Sequence, residues 1–134
     1  MSHVLLIDDD QDLVAANKIA LEKHGYRVSV AYNGVDGYQA LEKNTPDVVV
    51  LDCMMEEFTS GFELAHDMSI KYPNLPILMV TGVHEHMSSE WKYGPADKSW
   101  LPIHKWLEKP VPPAKLIESI EEVLKAKATG PAKP

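Results

Sequence analysis

The run VVVL (residues 48–51) ends in Asp52 with no polar residue breaking it, and this pattern constrains the fold more than any other in the chain. A strand with one face in water alternates apolar and polar residues, whereas an unbroken apolar run needs cover on both faces. VLLI (4–7) and the apolar part of PILMVTG (76–82) are of the same kind. Each run is too short to be a helix on its own and is bounded by turn residues.

Helical patterns fill the intervals. Leu13, Ala16, Ala20 and Leu21 have helical spacing, and Gly25 is a natural stop. YRVSVA (26–31) alternates like a strand, and Asn33-Gly34 turns the chain into a short helix through Tyr38 and Leu41 that Pro46 ends. Phe62, Ala65 and Met68 mark another helix, finishing before Pro73. KWLEKP (105–110) reads as a short fifth strand. Pro113 then opens a helix with Leu116, Ile117, Ile120, Val123 and Leu124 on one face. Strands alternating with helices predict a parallel sheet covered on both sides, and right-handed crossovers leave few topologies. The reading is α/β: a flavodoxin-like, doubly wound, five-stranded parallel sheet in the order 2-1-3-4-5, with its site at the carboxyl ends of the strands. One domain is expected over residues 1–127, with a disordered tail over 128–134.

Composition narrows the function classes. A net charge of −7 argues against a nucleic-acid-binding face, which would show a basic patch. Cys53 is the one cysteine, so an internal disulfide is excluded and a reducing, cytoplasmic location is expected. Only four apolar residues precede Asp8, Asp9 and Asp10, which is no leader pattern, and no apolar run approaches membrane-spanning length.

Polar residues collect at one end of the predicted sheet. The first strand delivers Asp8, Asp9 and Asp10, the third Asp52, the fourth Thr81, and the fifth Lys109 followed by Pro110. Two ionised carboxylates about 5 Å apart repel by roughly 3 kcal/mol at an effective dielectric of 20. A cluster of three therefore calls for a divalent cation or a lysine, and oxygen-only ligands favour a hard cation such as Mg²⁺. Any single aspartate could be a solvated strand end. Asp10 and Asp12 are read as cap and first-turn charges of the following helix.

LLIDDD, VVVLDCMM, PILMVTG and LEKPV resemble, in order, the four signature blocks of response-regulator receiver domains of bacterial two-component signalling. The resemblance spans nearly the whole chain. It implies that Asp52 is the phosphoacceptor and that Asp8 and Asp9 hold Mg²⁺ (or Mn²⁺), with Asp52 and the backbone carbonyl of Met54 completing the protein's ligands. Thr81 would hydrogen-bond the phosphoryl group and Lys109 would pair with it, and Lys109-Pro110 would be a cis peptide. A carboxylate can attack phosphorus to form an aspartyl phosphate, with the metal and Lys109 neutralising the equatorial oxygens.

The chain departs from the family pattern at several points. Position 56 is Glu where receivers usually have proline, and Gly61 lies one residue later than the usual glycine, so the 56–61 loop looks lengthened. The interval from Thr81 to Lys109 is also long and holds Trp91, Tyr93 and Trp100 within 83–104, either as added packing or as a docking site. Trp106 stands where the family's switch aromatic usually changes rotamer with Thr81. Met54 and Val83 occupy the two positions that tune dephosphorylation, and neither can hydrogen-bond an attacking water, which implies slow self-dephosphorylation. His84, Glu85, His86 and His104 match no strong zinc pattern, and Cys53 reads as packing.

The expected function is a stand-alone phosphoacceptor response regulator, not an enzyme beyond its own phosphoryl transfer and slow autodephosphorylation. Its partners would be a histidine kinase or phosphotransfer protein and a downstream protein meeting the 83–127 surface, with no direct nucleic acid and no membrane. It would be a monomer or a phosphorylation-dependent dimer. The alternative is an unphosphorylated interaction module on the same fold. An FMN-binding protein is a poor third, because the first strand leads into aspartates and not into a phosphate loop rich in Ser, Thr and Gly.

Overall fold

The computed structural model describes residues 2–52, 60–81, 105–108 and 111–129. Its elements are β1 (His3–Ile7), α1 (Gln11–Lys23), β2 (Arg27–Ala31), α2 (Gly34–Lys43), β3 (Val48–Asp52), α3 (Ser60–Lys71), β4 (Ile77–Thr81), β5 (Lys105–Glu108) and α4 (Pro113–Thr129). All strand pairs are parallel, and the sheet order is β2-β1-β3-β4-β5. This is the predicted α/β architecture.

The unbroken apolar runs are explained by two separate cores. Alternate residues of the central strands point to opposite sides. Leu5, Ile7, Val49, Leu51, Ile77 and Met79 face α2 and α3, where they pack with Leu41, Leu64 and Met68. Val4, Leu6, Val48, Val50, Leu78 and Val80 face α1 and α4, packing with Val14, Leu21, Leu116 and Ile120. Full burial of one such side chain contributes about 1.5–3 kcal/mol, so both layers of helices are held by the same short strands.

Local signals set the helix ends. Asp10 caps α1, its Oδ1 accepting from the Leu13 amide at 3.1 Å, and Asp12 lies in the first turn, both as expected. Gly25 closes the helix with φ +103°. The Tyr26 amide reaches back to the Leu21 carbonyl at 3.1 Å and the Gly25 amide to Glu22 at 3.0 Å, the pairing of a Schellman cap. Asn33 caps α2 through the Asp36 amide at 2.8 Å. Exposed contacts join neighbouring helices at 2.7 Å, a hydrogen bond between His24 Nε2 and Glu121 and an ion pair of Lys71 with Glu42, and such surface contacts contribute little.

One buried stripe and two boundaries differ from the sequence reading. The inward stripe of α1 runs through Val14 and Leu21, while Ala16 is exposed, because a larger apolar side chain fills the interlayer space better than a methyl. Ser60 and Gly61, read as loop, are helical in α3, serine being a favourable residue at a helix start. α4 continues through Ala128 and Thr129, two residues into the expected tail, since Lys and Ala sustain a helix until Gly130-Pro131. Residues 130–134, Cys53 and the whole 83–104 segment lie outside the described residues, as do the Lys109-Pro110 bond and positions 56–59 of the lengthened loop.

Gly37 shows how closely α2 approaches the sheet. A Cβ there would stand 2.7 Å from Ile7 Cδ1 and 3.1 Å from both Cγ atoms, so the whole Ile7 side chain would have to move. Gly37→Ala should lower stability by about 1–3 kcal/mol by overpacking, despite alanine's better helix propensity. Urea unfolding checks this, and an unchanged or raised midpoint would contradict it.

His3 generates a pH prediction at the opposite end of the strands. It is buried, and Nε2 lies 2.7 Å from Ser29 Oγ. Burial, followed by the nearby Arg27, lowers its pKa below the ordinary 6.5, against opposing contributions from Asp47 and the Thr45 backbone. The folded state therefore prefers neutral imidazole, so the stability it contributes is present above pH 6.5 and falls as the unfolded chain takes up the proton first. Between pH 7.5 and 5.5 the wild-type Tm should drop further than that of His3→Gln; equal drops would refute the assignment.

Candidate functional site

The site follows from the register. Ile7 pairs with Leu51 across β1 and β3, so the next residue of each strand, Asp8 and Asp52, comes out side by side at the carboxyl edge. Asp52 pairs onward with Val80 of β4, and the backbone of Thr81 follows, paired with Glu108 of β5. Strand polarity alone therefore directs four chain positions to one edge.

Burial grades the carboxylates. Asp52 is 3% exposed and Asp8 is 9% exposed, while Asp9 is exposed to solvent. One carboxylate oxygen of each of Asp8, Asp9 and Asp52 lies within 4.8 Å of the others. Asp8 is fixed at both ends: its amide donates to the Ala31 carbonyl at 3.1 Å and its Oδ1 accepts from the Asp10 amide at 2.9 Å. The latter contact ties the acidic cluster to the start of α1, whose dipole favours negative charge at that end. Three carboxylates converging from a buried strand end, a strand exit and an exposed turn form the donor set of a hard divalent cation. Asp52 is also part of further interactions within the fold.

A cavity of about 470 Å³ opens beneath these groups. Leu6, Val50 and Val80 form its sheet wall, Leu13 and Val14 its α1 wall, and Leu116 its α4 wall. Asp8, Asp10 and Asp52 stand at its polar side together with Asn17. Asn17 was not singled out by the sequence. Its signal is positional, since it lies three residues past Val14 and four before Leu21 on the inward stripe of α1.

The structure thus brings together Asp8, Asp9 and Asp52 as expected. Thr81 closes β4 and Trp106 lies within β5 by backbone, and their side chains, like all of Met54, Val83 and Lys109, fall outside the described parts. Among the described residues no helix is long and apolar enough to cross a membrane.

Known proteins share both the sequence pattern and the fold. The family described as "Response regulator receiver domain" matches residues 4–121. The probable transcriptional regulatory protein TcrX of Mycobacterium tuberculosis is 35% identical over 78 residues, covering 58% of this chain and 33% of its own length. Protein PilH of Pseudomonas aeruginosa is 29% identical over 128 residues, covering 92% of this chain and 98% of itself. The chain spans about a third of the length of TcrX and of the Streptomyces coelicolor regulator AfsQ1. Among solved structures, chemotaxis protein CheY4 of Vibrio cholerae has a TM-score of 0.79 at 29% identity, covering 92% of this chain and 98% of that one. A CheY-like receiver domain protein from Methanospirillum hungatei has a TM-score of 0.78 at 25% identity, covering 96% and 97%. With the family pattern running through both strand ends that carry the buried aspartates, the chain belongs to the response regulator receiver domains of two-component signalling.

Proposed function

We propose that this chain is a stand-alone phosphoacceptor switch in which Asp52 takes a phosphoryl group from a histidine kinase, a phosphotransfer protein or a small phosphodonor. The observation that carries this reading is the convergence of Asp8, Asp9 and Asp52 oxygens within 4.8 Å, with Asp52 almost wholly buried at the end of β3. A carboxylate held there by the sheet has one fixed direction of approach, which suits an in-line displacement.

In the proposed step an Asp52 carboxylate oxygen forms a bond to phosphorus. The bond from phosphorus to the donor's nitrogen or oxygen breaks, and the leaving group departs with its electron pair. Asp8, Asp9, Asp52 and the Met54 carbonyl would hold Mg²⁺ (or Mn²⁺), which when bound offsets the negative charge of carboxylates and phosphoryl oxygens. The Thr81 hydroxyl is assigned to hydrogen-bond a phosphoryl oxygen and the Lys109 ammonium to pair with another. Asp10 stays outside this chemistry, since its carboxylate is occupied as the cap of α1. Met54 and Val83 offer an attacking water no hydrogen bond, so the acyl phosphate should persist.

The output follows from a two-state element. New contacts between the phosphoryl group and Thr81 would shift its position, Trp106 would follow, and the 83–127 surface would present a changed face to a protein partner. Output through a protein, with no direct contact to nucleic acid, fits the net charge of −7.

Incubation with Mg²⁺ and acetyl phosphate or phosphoramidate, read by intact mass, tests the reading. Wild type should gain one phosphoryl group and Asp52→Asn none; no gain with small donors or a panel of kinases would leave a receiver fold used for binding alone. Asp9→Asn, which removes a metal ligand at an exposed position, should weaken the apparent Mg²⁺ affinity about tenfold or more with little change in Tm. Phosphate release from the phosphorylated chain should be slower than from a Val83→Gln variant, and equal rates would remove Val83 from the tuning role.

A further inference from the structure

β2 is an edge of the sheet: among the described residues it pairs with β1 alone. The Arg27 amide donates to the Ser2 carbonyl at 2.8 Å, and the Ala31 carbonyl accepts from the Asp8 amide at 3.1 Å. In a parallel ladder alternate residues turn both backbone groups to the same neighbour, so Arg27, Ser29 and Ala31 face β1. The N–H and C=O groups of Val28 and Val30 therefore point out of the sheet. Natural edges are usually blunted by proline, lysine or a bulge. β2 contains no proline or lysine, and its register with β1 runs unbroken from His3↔Arg27 to Ile7↔Ala31. Val28, Ser29 and Val30 are only half-buried, whereas β1 and β3 are buried throughout.

The sequence of this edge selects its occupant. YRVSVAY (26–32) carries valine and then tyrosine at the same distances on either side of Ser29. An antiparallel copy related by a two-fold axis at Ser29 therefore sets Val28 opposite Val30, Tyr26 opposite Tyr32 and Ser29 opposite itself. Val28 and Val30 form the hydrogen-bonded pairs of that register, four bonds in all, and valine and tyrosine pairs are of the kinds that stabilise neighbouring strands. A register centred on Val28 would call on the Tyr26 amide, which is already bonded to the Leu21 carbonyl. Charge agrees. Ala31 belongs to the core under α2 and α3, so Arg27, four residues before it, points to that same face. Arg27 is exposed and would stand opposite Ala31 of the other copy, whose small side chain lets it extend toward the start of α2. Asp36 is exposed there, anchored by Asn33. Each copy thus has a cation at one end of the edge and a carboxylate at the other, which an antiparallel copy matches twice.

We infer that the β2 edge is a self-association surface, on which a second copy of this chain pairs antiparallel across Ser29 and joins two five-stranded sheets into one. Four backbone bonds and two ion pairs make a small interface of the weak, transient class, below about 1,200 Å². The pairing goes beyond the phosphoacceptor reading and does not depend on it.

The test uses the full chain, unphosphorylated and without divalent metal, so phosphoryl transfer has no part in the outcome. A concentration series up to about 1 mM, chosen because interfaces of this size are weak, should move the amide resonances of Val28 and Val30 while those of Val49 and Ile77 stay in place. In an equal mixture of isotope-labelled and unlabelled chain, a cross-peak should link the Ser29 Hα protons of two copies. Opposed residues of a non-hydrogen-bonded antiparallel pair bring their Cα atoms to about 4.5 Å. Val28→Pro removes an outward donor that β1 does not use and should abolish the association. Arg27→Glu should weaken it about threefold to tenfold, since two exposed pairs are reversed, and adding Asp36→Lys should restore it. Val28 and Val30 amides that do not move with concentration would overturn the proposal, and so would self-association without the Ser29 cross-peak. Both of these measurements use wild-type protein, so neither depends on how a variant folds.

Discussion

Burial of one thin sheet on both faces is the constraint from which the rest of the molecule follows. β1, β3 and β4 have no side that can carry charge, because odd and even positions alike enter a core. Polar chemistry is therefore pushed to the strand ends, and in a parallel sheet the carboxyl ends all lie at one edge. The pairing of Ile7 with Leu51 then brings Asp8 and Asp52 together without any loop having to be positioned for the purpose. The repulsion this creates is offset in part by the exposure of Asp9 to solvent and by the Asp10 amide that donates to Asp8.

The same organisation explains what could be read from the sequence. Sheet order, parallel pairing, the helix ends at Asp10 and Gly25 and the turn at Asn33-Gly34 were all legible, because each rests on a local pattern with a single physical reading. Asp8, Asp9 and Asp52 were legible for a related reason, since charged residues directly after apolar runs can only lie at strand ends. Asn17 was not, because an asparagine in the middle of an amphipathic helix looks like a surface residue. Only the packing of α1 shows that its side chain lines a cavity. Ala16 has the helical spacing of Leu13, Ala20 and Leu21 yet is exposed, while Val14 is buried, because spacing identifies a stripe but not its exact rotation about the helix axis. Gly37 could not be singled out either, since a glycine in a helix reveals a close approach only when its neighbour, Ile7, is known.

The two faces of the sheet serve different ends. The side covered by α2 and α3 is closely packed, to the point that one added methyl group collides with Ile7. The side covered by α1 and α4 holds the cavity. Rigidity and space are thus divided between the layers, and Asp52 follows Val48 and Val50 on the side of the cavity. A firm backing fixes the direction of the carboxylate while the other side leaves volume next to it.

The central place of β1 bears on how the chain acquires its structure. This strand precedes both of its partners, pairing with β2 from His3↔Arg27 and with β3 from Val4↔Val48. During synthesis it must wait, unpaired on one side, until the residues of β3 have left the ribosome. Such distant pairings carry a loop-closure cost before they return any contact energy. An exposed VLLI segment is also the kind of stretch on which chains associate wrongly. The three aspartates that follow it place a block of like charge directly beside that sticky segment. The residues that build the acidic edge of the finished protein therefore also act, before folding is complete, as gatekeepers against aggregation.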